Sequence, residues 1–378
     1  MRILLIGEYS RLHNSLKLGL QALGHTVVII ANGDHFKNYP VDLSTKARWS
    51  ESKIGNIPRQ IIYRLIKFDI SKIEYAIRFY LHLNKCKDFD IVQLINESPI
   101  QTLPFFERML LKKIFLNNKK SYLLCCGVDS TIVKYMIEKK PRYSIMNPYF
   151  DNPKLINEYD YIFDYLKIKN KKLQNLVHKN VQGIIASDFD YYLPLKNHPN
   201  FRALIPNPVC IKEIISETKI HNSIIIFLGI NRGTFYQKGI PLFEKALEII
   251  KEKHREKIEI ITVENIPYEE YTNLYNKAHI LLDQVYAYDQ GYNALEAMAK
   301  GKVVFTGAEK EFMEYYNLDK RVAINALPDV DSLVNDLSFL IENPEEIIAI
   351  GKRAKAFIKK EHNYIEIAGK YLTVWTAN

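Results

Sequence analysis

Cysteine is scarce in this 378-residue chain, with Cys86, Cys125, Cys126 and Cys210 as the four. Two are adjacent and none forms a C-x-x-C pair. That spacing suits neither a disulfide framework nor a zinc site, so reduced, buried thiols are expected. No stretch approaches the roughly 18 apolar residues of a membrane span. The opening run, Met1 to Gly7, is short, meets Glu8 and leads to no small-residue cleavage site, so a secretory signal is not expected. The ten histidines show no HExxH or paired-ligand spacing and read as surface or satisfied core residues. A G-x-G-x-x-G fingerprint is also missing, which argues against a simple dehydrogenase. Aromatic residues are spread widely rather than interleaved with basic ones, so nucleic acid is not an expected partner.

What is present is ordinary in bulk and uneven in charge. Hydrophobic residues at 47% and charged residues at 25% supply an ample core, and the length suits two domains. Net charge is +9, yet residues 1–208 carry 31 Lys and Arg against 18 Asp and Glu, and the remainder is net acidic. The first half therefore either meets something anionic or simply carries a lysine-rich solvated surface.

Apolar runs alternate with helical periodicity along the chain. Arg2–Ile6 reads as a strand buried on both faces and closed by Gly7. Leu12, Leu16, Leu20 and Leu23 follow at helical spacing up to Gly24, and Thr26–Ile30 is the next strand. Strands around 90–95, 121–126, 181–186 and 203–205 continue the pattern, with a long polar helix from about Asn157. Pro206-Asn207-Pro208 then forces a turn. After a charged, weakly structured stretch from Ile211 to Asn222 the pattern restarts. Strands are expected at 224–228, 258–262, 279–282 and 302–305, with helices at 241–253, 268–277 and 292–300 and a helical tail from Pro344 to Trp375 broken near 361–363. Such alternation implies parallel sheets, with ligands beyond the carboxyl ends of their strands.

The most informative segment is Gly291-Tyr-Asn-Ala-Leu-Glu-Ala-Met-Ala-Lys-Gly301-Lys-Val-Val-Phe305. Amides at Gly291, Tyr292 and Asn293 would open a helix, where free N–H groups and the dipole favour a diphosphate. Glu296, one turn further, could accept from ribose hydroxyls. The plainer alternative is an amphipathic helix with Ala294, Ala297 and Met298 in the core and Glu296 solvated. Arg232 and Lys238, in Phe227-Leu-Gly229-Ile-Asn-Arg232 and Gln237-Lys238-Gly239, would stabilise charge on a departing diphosphate, or are two loop cations. Asp129 either orients hydroxyls at a cleft or caps the helix beginning at Ser130.

The run Leu295–Val304 resembles the C-terminal signature of retaining GT-B glycosyltransferases of the group 1, family 4-like type. In that family a glutamate, seven residues and a second glutamate precede the alanine-rich stretch. Glu296 matches the second, which binds ribose. Tyr288 stands in place of the first, which contacts the donor sugar, with Asp289 beside it. Gly229, Arg232, Lys238 and Gly239 are similar to the family's glycine, arginine and lysine-glycine pattern. Ile205-Pro-Asn-Pro-Val209 resembles its interdomain link, and Ser187 matches a serine that precedes it. The family's histidine after the fifth strand is missing, and its glycine-rich first loop is reduced to Gly7-Glu8-Tyr9-Ser10.

The resemblance implies an α/β fold of two Rossmann-like domains facing across a cleft. Residues 1–208 would lie on the acceptor side, 209–360 would bind the nucleotide-sugar, and 361–378 would form a helix crossing back. It implies hexosyl transfer from a nucleoside-diphosphate-sugar to a glycan or lipid-linked acceptor, with retention and without metal, in bacterial surface-polysaccharide synthesis. Arg232, Lys238, Asp289 and Asp129 would act in transfer, and Glu296, Gly291, Tyr292, Asn293, Gly229 and Gly7 would bind the donor or shape the cleft. A sugar-nucleotide epimerase and a non-catalytic glycan- or partner-binding paralogue stand as alternatives. A cytoplasmic location is expected. The basic, amphipathic stretch Ile57 to Leu83, with Arg59, Arg64, Lys67, Lys72 and Arg78, reads either as contact with an anionic membrane surface or as a core-facing helix pair with a solvated basic face.

Overall fold

The computed structural model describes residues 1–34, 37–210, 220, 222–264, 266 and 268–377, so most of the stretch expected to be weakly structured between Ile211 and Asn222 lies outside the described residues. Strands β1 (Arg2–Ile6), β2 (Thr26–Ala31), β3 (Leu43–Ser44), β4 (Ile91–Leu94), β5 (Lys120–Cys125), β6 (Gly183–Ala186) and β7 (Phe201–Leu204) form a parallel sheet in the order β3-β2-β1-β4-β5-β6-β7. Around it lie α1 (Leu12–Ala22), α2 (Asn56–Ile66), α3 (Ser71–His82), α4 (Pro104–Leu116), α5 (Ser130–Ile137), α6 (Asn147–Asp151), α7 (Ile156–Phe163), α8 (Ile168–Asn180) and α9 (Phe189–Leu195). The long polar helix expected from Asn157 is thus two helices, separated by a 3-10 turn at Asp164–Leu166.

The second sheet contains β8 (Ile224–Ile230), β9 (Ile258–Glu264), β10 (Ile280–Leu282), β11 (Val303–Thr306) and β12 (Ile324–Asn325), parallel in the order β12-β11-β10-β8-β9. Its helices are α10 (Ile240–His254), α11 (Tyr268–Lys277), α12 (Tyr292–Ala299), α13 (Lys310–Tyr315), α14 (Val330–Glu342) and α15 (Pro344–Glu361), and α16 (Tyr364–Thr376) ends the chain. These are the two facing parallel-sheet domains of the GT-B fold. Both sheets are buried on both faces, which is why their strands read as continuous apolar runs rather than alternating ones.

The last helix belongs to the first domain's core. Ile367, Ala368, Tyr371 and Trp375 of α16 pack with Leu12, Leu16 and Leu20 of α1 beneath β1 and β2. Trp375 Nε1 donates to Gln93 Oε1 at 3.1 Å, which satisfies two buried polar groups together. Gly19 of α1 permits this approach, since a Cβ there would stand 2.1 Å from the Tyr364 carbonyl oxygen. The chain crosses between domains twice, and the crossings touch. Val209 N–H donates to the His362 carbonyl and His362 Nδ1 to the Asn207 carbonyl, both at 2.8 Å. Burial pushes His362 down to about 4, so the ring is neutral there near pH 7.

In each sheet the strand order reverses beside its first strand, between β1 and β4 and between β8 and β10. A crevice opens beyond the carboxyl ends at such a point, because neighbouring loops run to opposite sides of the sheet.

Candidate active site

At the first reversal the chain leaves β1 through Gly7, whose φ of +88° is one that residues with a Cβ rarely adopt. A Cβ there would also meet Ile95 Cγ2 at 2.4 Å. The following carboxylate, Glu8, accepts from the N–H groups of His13 (3.3 Å) and Asn14 (2.9 Å) and from Asn14 Nδ2 (2.6 Å). Glu8 therefore occupies the positive end of α1, a place where a phosphate could otherwise sit. Burial, the largest effect on it, pushes Glu8 up to about 7. Ser10 and Arg11 are both left-handed, with φ of 49° and 71°. Arg11 Nη1 comes within 3.8 Å of Glu296 Oε1 in the opposite domain.

At the second reversal, Lys238 Nζ donates to Asp283 Oδ1 at 3.0 Å, just past β10. Asn293 Nδ2 donates to the same oxygen at 3.1 Å. Asp283 thus joins the lysine to the first turn of α12. No side chain caps that turn at Gly291, whereas α5, α9, α14 and α16 are capped by Asp129, Asp188, Asp329 and Asn363. The amides that open α12 therefore receive no side-chain cap of their own. Glu296 lies on the cleft side one turn on, and burial raises its pKa against the opposing influence of Arg11. Tyr292 uses its hydroxyl across the cleft, 2.6 Å from Ser15 Oγ and 2.9 Å from the Pro208 carbonyl it donates to.

Arg232 sits beyond the same sheet, but forks onto Glu264 (Nε to Oε1 2.9 Å, Nη2 to Oε2 2.6 Å) and lies over the Phe235 ring. With 55% of its side chain exposed, the guanidinium is accessible from solvent. The two expected cations are thus engaged by different carboxylates, Arg232 by Glu264 and Lys238 by Asp283. Gly229 does not close β8 as expected. The strand continues to Ile230, and Gly229 makes room for the Tyr271 ring, whose Cε2 would stand 2.9 Å from a Cβ.

Asp129 takes the capping alternative, accepting from the Ile132 N–H at 2.8 Å while 1% exposed. Burial and the neighbouring Glu97 push it up to about 7. Asp289 is also buried, and it lines a cavity of about 200 Å³ between the domains together with Asp188, Asp190, Tyr191, Tyr286 and Gly291. Carboxylate oxygens of Asp188, Asp190 and Asp289 all lie within 4.8 Å of one another. Two of these acids reach backbone across the interface. Asp289 accepts from Phe189 N–H (3.1 Å) and Asp190 from Tyr288 N–H (3.2 Å). Burial raises all three, Asp190 to about 7, and mutual repulsion adds to the rise at Asp188 and Asp289.

Tyr288, at the position of the motif's first glutamate, faces the first domain. Its hydroxyl accepts from the Arg142 N–H at 2.8 Å, and the Arg142 guanidinium covers its ring before bonding Glu309 and Glu311. Sequence reasoning missed Asp283, Asp188, Asp190, Arg11 and Arg142. Only Asp188 and Asp190 carried a local signal, the Asp-x-Asp spacing at 188–190.

Residues 242–373 match a family model described as glycosyl transferase-like. No curated protein matches the chain in sequence. Among solved structures, sucrose-phosphate synthase from Thermosynechococcus elongatus aligns over 99% of this chain and 98% of its own at 14% identity, with a TM-score of 0.61. HepE of Anabaena, solved with UDP and glucose, aligns over 99% and 98% at 11% identity and a TM-score of 0.58. UDP-GlcNAc 2-epimerase from Neisseria meningitidis aligns over 100% of both chains at 12% identity and a TM-score of 0.51. At these identities the likeness is one of fold.

Proposed function

We propose that this chain, which has the GT-B fold and whose residues 242–373 match a glycosyl transferase-like family model, is a glycosyltransferase that moves a hexosyl group from a nucleoside-diphosphate-sugar to a hydroxyl of a glycan or lipid-linked acceptor. The observation that carries the reading is the Lys238–Asp283–Asn293 chain, which puts an ammonium group beside the uncapped start of α12 at the reversal of the second sheet. HepE, of like fold, was solved with UDP and glucose, which supports a nucleotide-sugar donor.

In this reading Glu296 takes the ribose hydroxyls, exchanging its long contact with Arg11 for them. The diphosphate lies at the amides of Gly291, Tyr292 and Asn293. Lys238 meets it there, and Arg232 turns from Glu264 to join. The bond from the anomeric carbon to the diphosphate oxygen breaks, and the nucleoside diphosphate leaves with the electron pair. The acceptor oxygen bonds to the same carbon, and its proton passes to the departing phosphate. Negative charge grows on that phosphate as the bond stretches, so both cations act more strongly on the transition state than on the bound donor. Asp289 is the sugar contact, and no metal is required. Retention and a role in bacterial surface-polysaccharide assembly are carried by the family resemblance, and a lipid-linked acceptor puts the enzyme at a membrane face.

Thermal shift against UDP, GDP and ADP tests the donor site. A nucleotide at 100 times its dissociation constant stabilises by about 2.7 kcal/mol, and Glu296→Ala is expected to remove the shift of the best ligand. An unchanged shift in that variant defeats the ribose assignment. Incubation with nucleotide-sugar alone separates the rival epimerase, which would convert the sugar without any acceptor.

A further inference from the structure

Helix α2 has no buried residue along its whole length. Ile57, Ile61 and Leu65 recur every four residues on one face and are 63%, 54% and 77% exposed, and Ile54, 82% exposed, extends the row. Among the described residues nothing buries this face, whereas the next helix, α3, buries Tyr75, Ala76 and Phe79. The helix is held from below by polar contacts instead, with Arg59 forked onto Asp69. Its flanks carry charge of one sign. From Lys53 to Phe68 there are four cations, Lys53, Arg59, Arg64 and Lys67, and no acidic residue. At one end stands Trp49, 61% exposed, whose backbone abuts the start of the helix at Gly55.

We propose that α2 docks the protein on an anionic lipid surface, lying flat with Ile57, Ile61 and Leu65 in the acyl boundary and Lys53, Arg64 and Lys67 among the headgroup phosphates. Acyl chains satisfy the apolar row, and anionic headgroups satisfy the flanking cations. A second copy of the chain fits less well, since a two-fold interface would set these cations against their own equivalents. The docking surface rests on the exposed helix and not on the transfer reaction.

The chain contains two tryptophans, and Trp375 is fully buried, so a fluorescence change on adding vesicles reports on Trp49. Full-length protein is mixed with vesicles of phosphatidylcholine alone or containing about one-third phosphatidylglycerol. Expected are a blue shift and co-sedimentation with the anionic vesicles, weaker by about tenfold or more on neutral vesicles or at high salt. Ile61→Glu and Leu65→Glu should each cost about tenfold in vesicle affinity, with melting temperature and nucleotide affinity unchanged. Absence of shift and sedimentation overturns the proposal. So does equal uptake by neutral vesicles, or self-association that Leu65→Glu abolishes while vesicles are ignored.

Discussion

The hydroxyl of Tyr292, on the first residue of α12 in the second domain, lies 2.6 Å from Oγ of Ser15 in α1 of the first. The starts of the two helices nearest the sheet reversals are thereby joined directly, and the same hydroxyl donates to the Pro208 carbonyl in the link between domains.

Tyr292→Phe keeps the ring and removes both bonds, leaving the Pro208 carbonyl unserved. Urea unfolding is expected to show a loss of about 1–2 kcal/mol. Nucleotide affinity should hold, because the donor would meet the backbone amide of this residue and not its hydroxyl.

Lys238→Met is expected to lower the transfer rate by about 10²–10³. Removing the ammonium also leaves Asp283, which is 4% exposed, with the Asn293 amide but no cation as partner, so the single variant should melt early as well. Pairing it with Asp283→Asn recovers the melting temperature without recovering the rate. Recovery of both in the double variant would make the lysine structural.

Asp190 titrates near 3.8 when free and is held up to about 7 in the folded chain by burial. Between those values the folded state keeps the proton more readily, so stability falls as pH rises through the window, and the full penalty is reached above about 7. Neutral His13 and His362, each held down to about 4, act in the opposite sense below about 6.5, so the parent must be compared with a variant. Asp190→Asn should melt above the parent at about pH 8 and no higher than it near pH 4. A constant difference across that range would show that the titration lies elsewhere.

Transfer is expected to proceed unchanged in excess chelator. If chelation abolished it and a divalent ion restored it, the grouping of Asp188, Asp190 and Asp289 would become the first place to look for a cation.

A fifth expectation concerns the junction of α1 and α16. Gly19→Val forces a side chain into the Tyr364 carbonyl and should cost about 1–3 kcal/mol or more, read as a lowered urea midpoint.

The sequence made some of this plain for identifiable reasons. Ile3–Ile6 and Ile224–Ile230 are runs without a polar side chain because both faces of their sheets are covered. Lys238 and Glu296 stand out in the sequence because each lies in a local motif. Strands β3 and β12, of two residues each, are too short to impose a period. Arg11 and Glu296 are 285 positions apart, and only the completed fold relates them. Asp129 shows a limit of another kind, since aspartate before a helix suits a cap and a cleft ligand equally, and only its burial distinguishes them. The stretch beginning at Ile57 divides into α2 and α3, alike in amphipathicity, of which one is covered and the other is not.

The double crossing at residues 207–209 and 362–363 has a mechanical consequence. Two chain passages bonded side by side behave as a strap, so the lobes can swing about that line more easily than they can slide past one another. Opening and shutting would then be a rotation of one lobe relative to the other, with α16 carried as a fixed passenger of the first. A nick between Glu361 and Tyr364 would leave that passenger in its seat and a single covalent connection between the lobes, the one at 207–209.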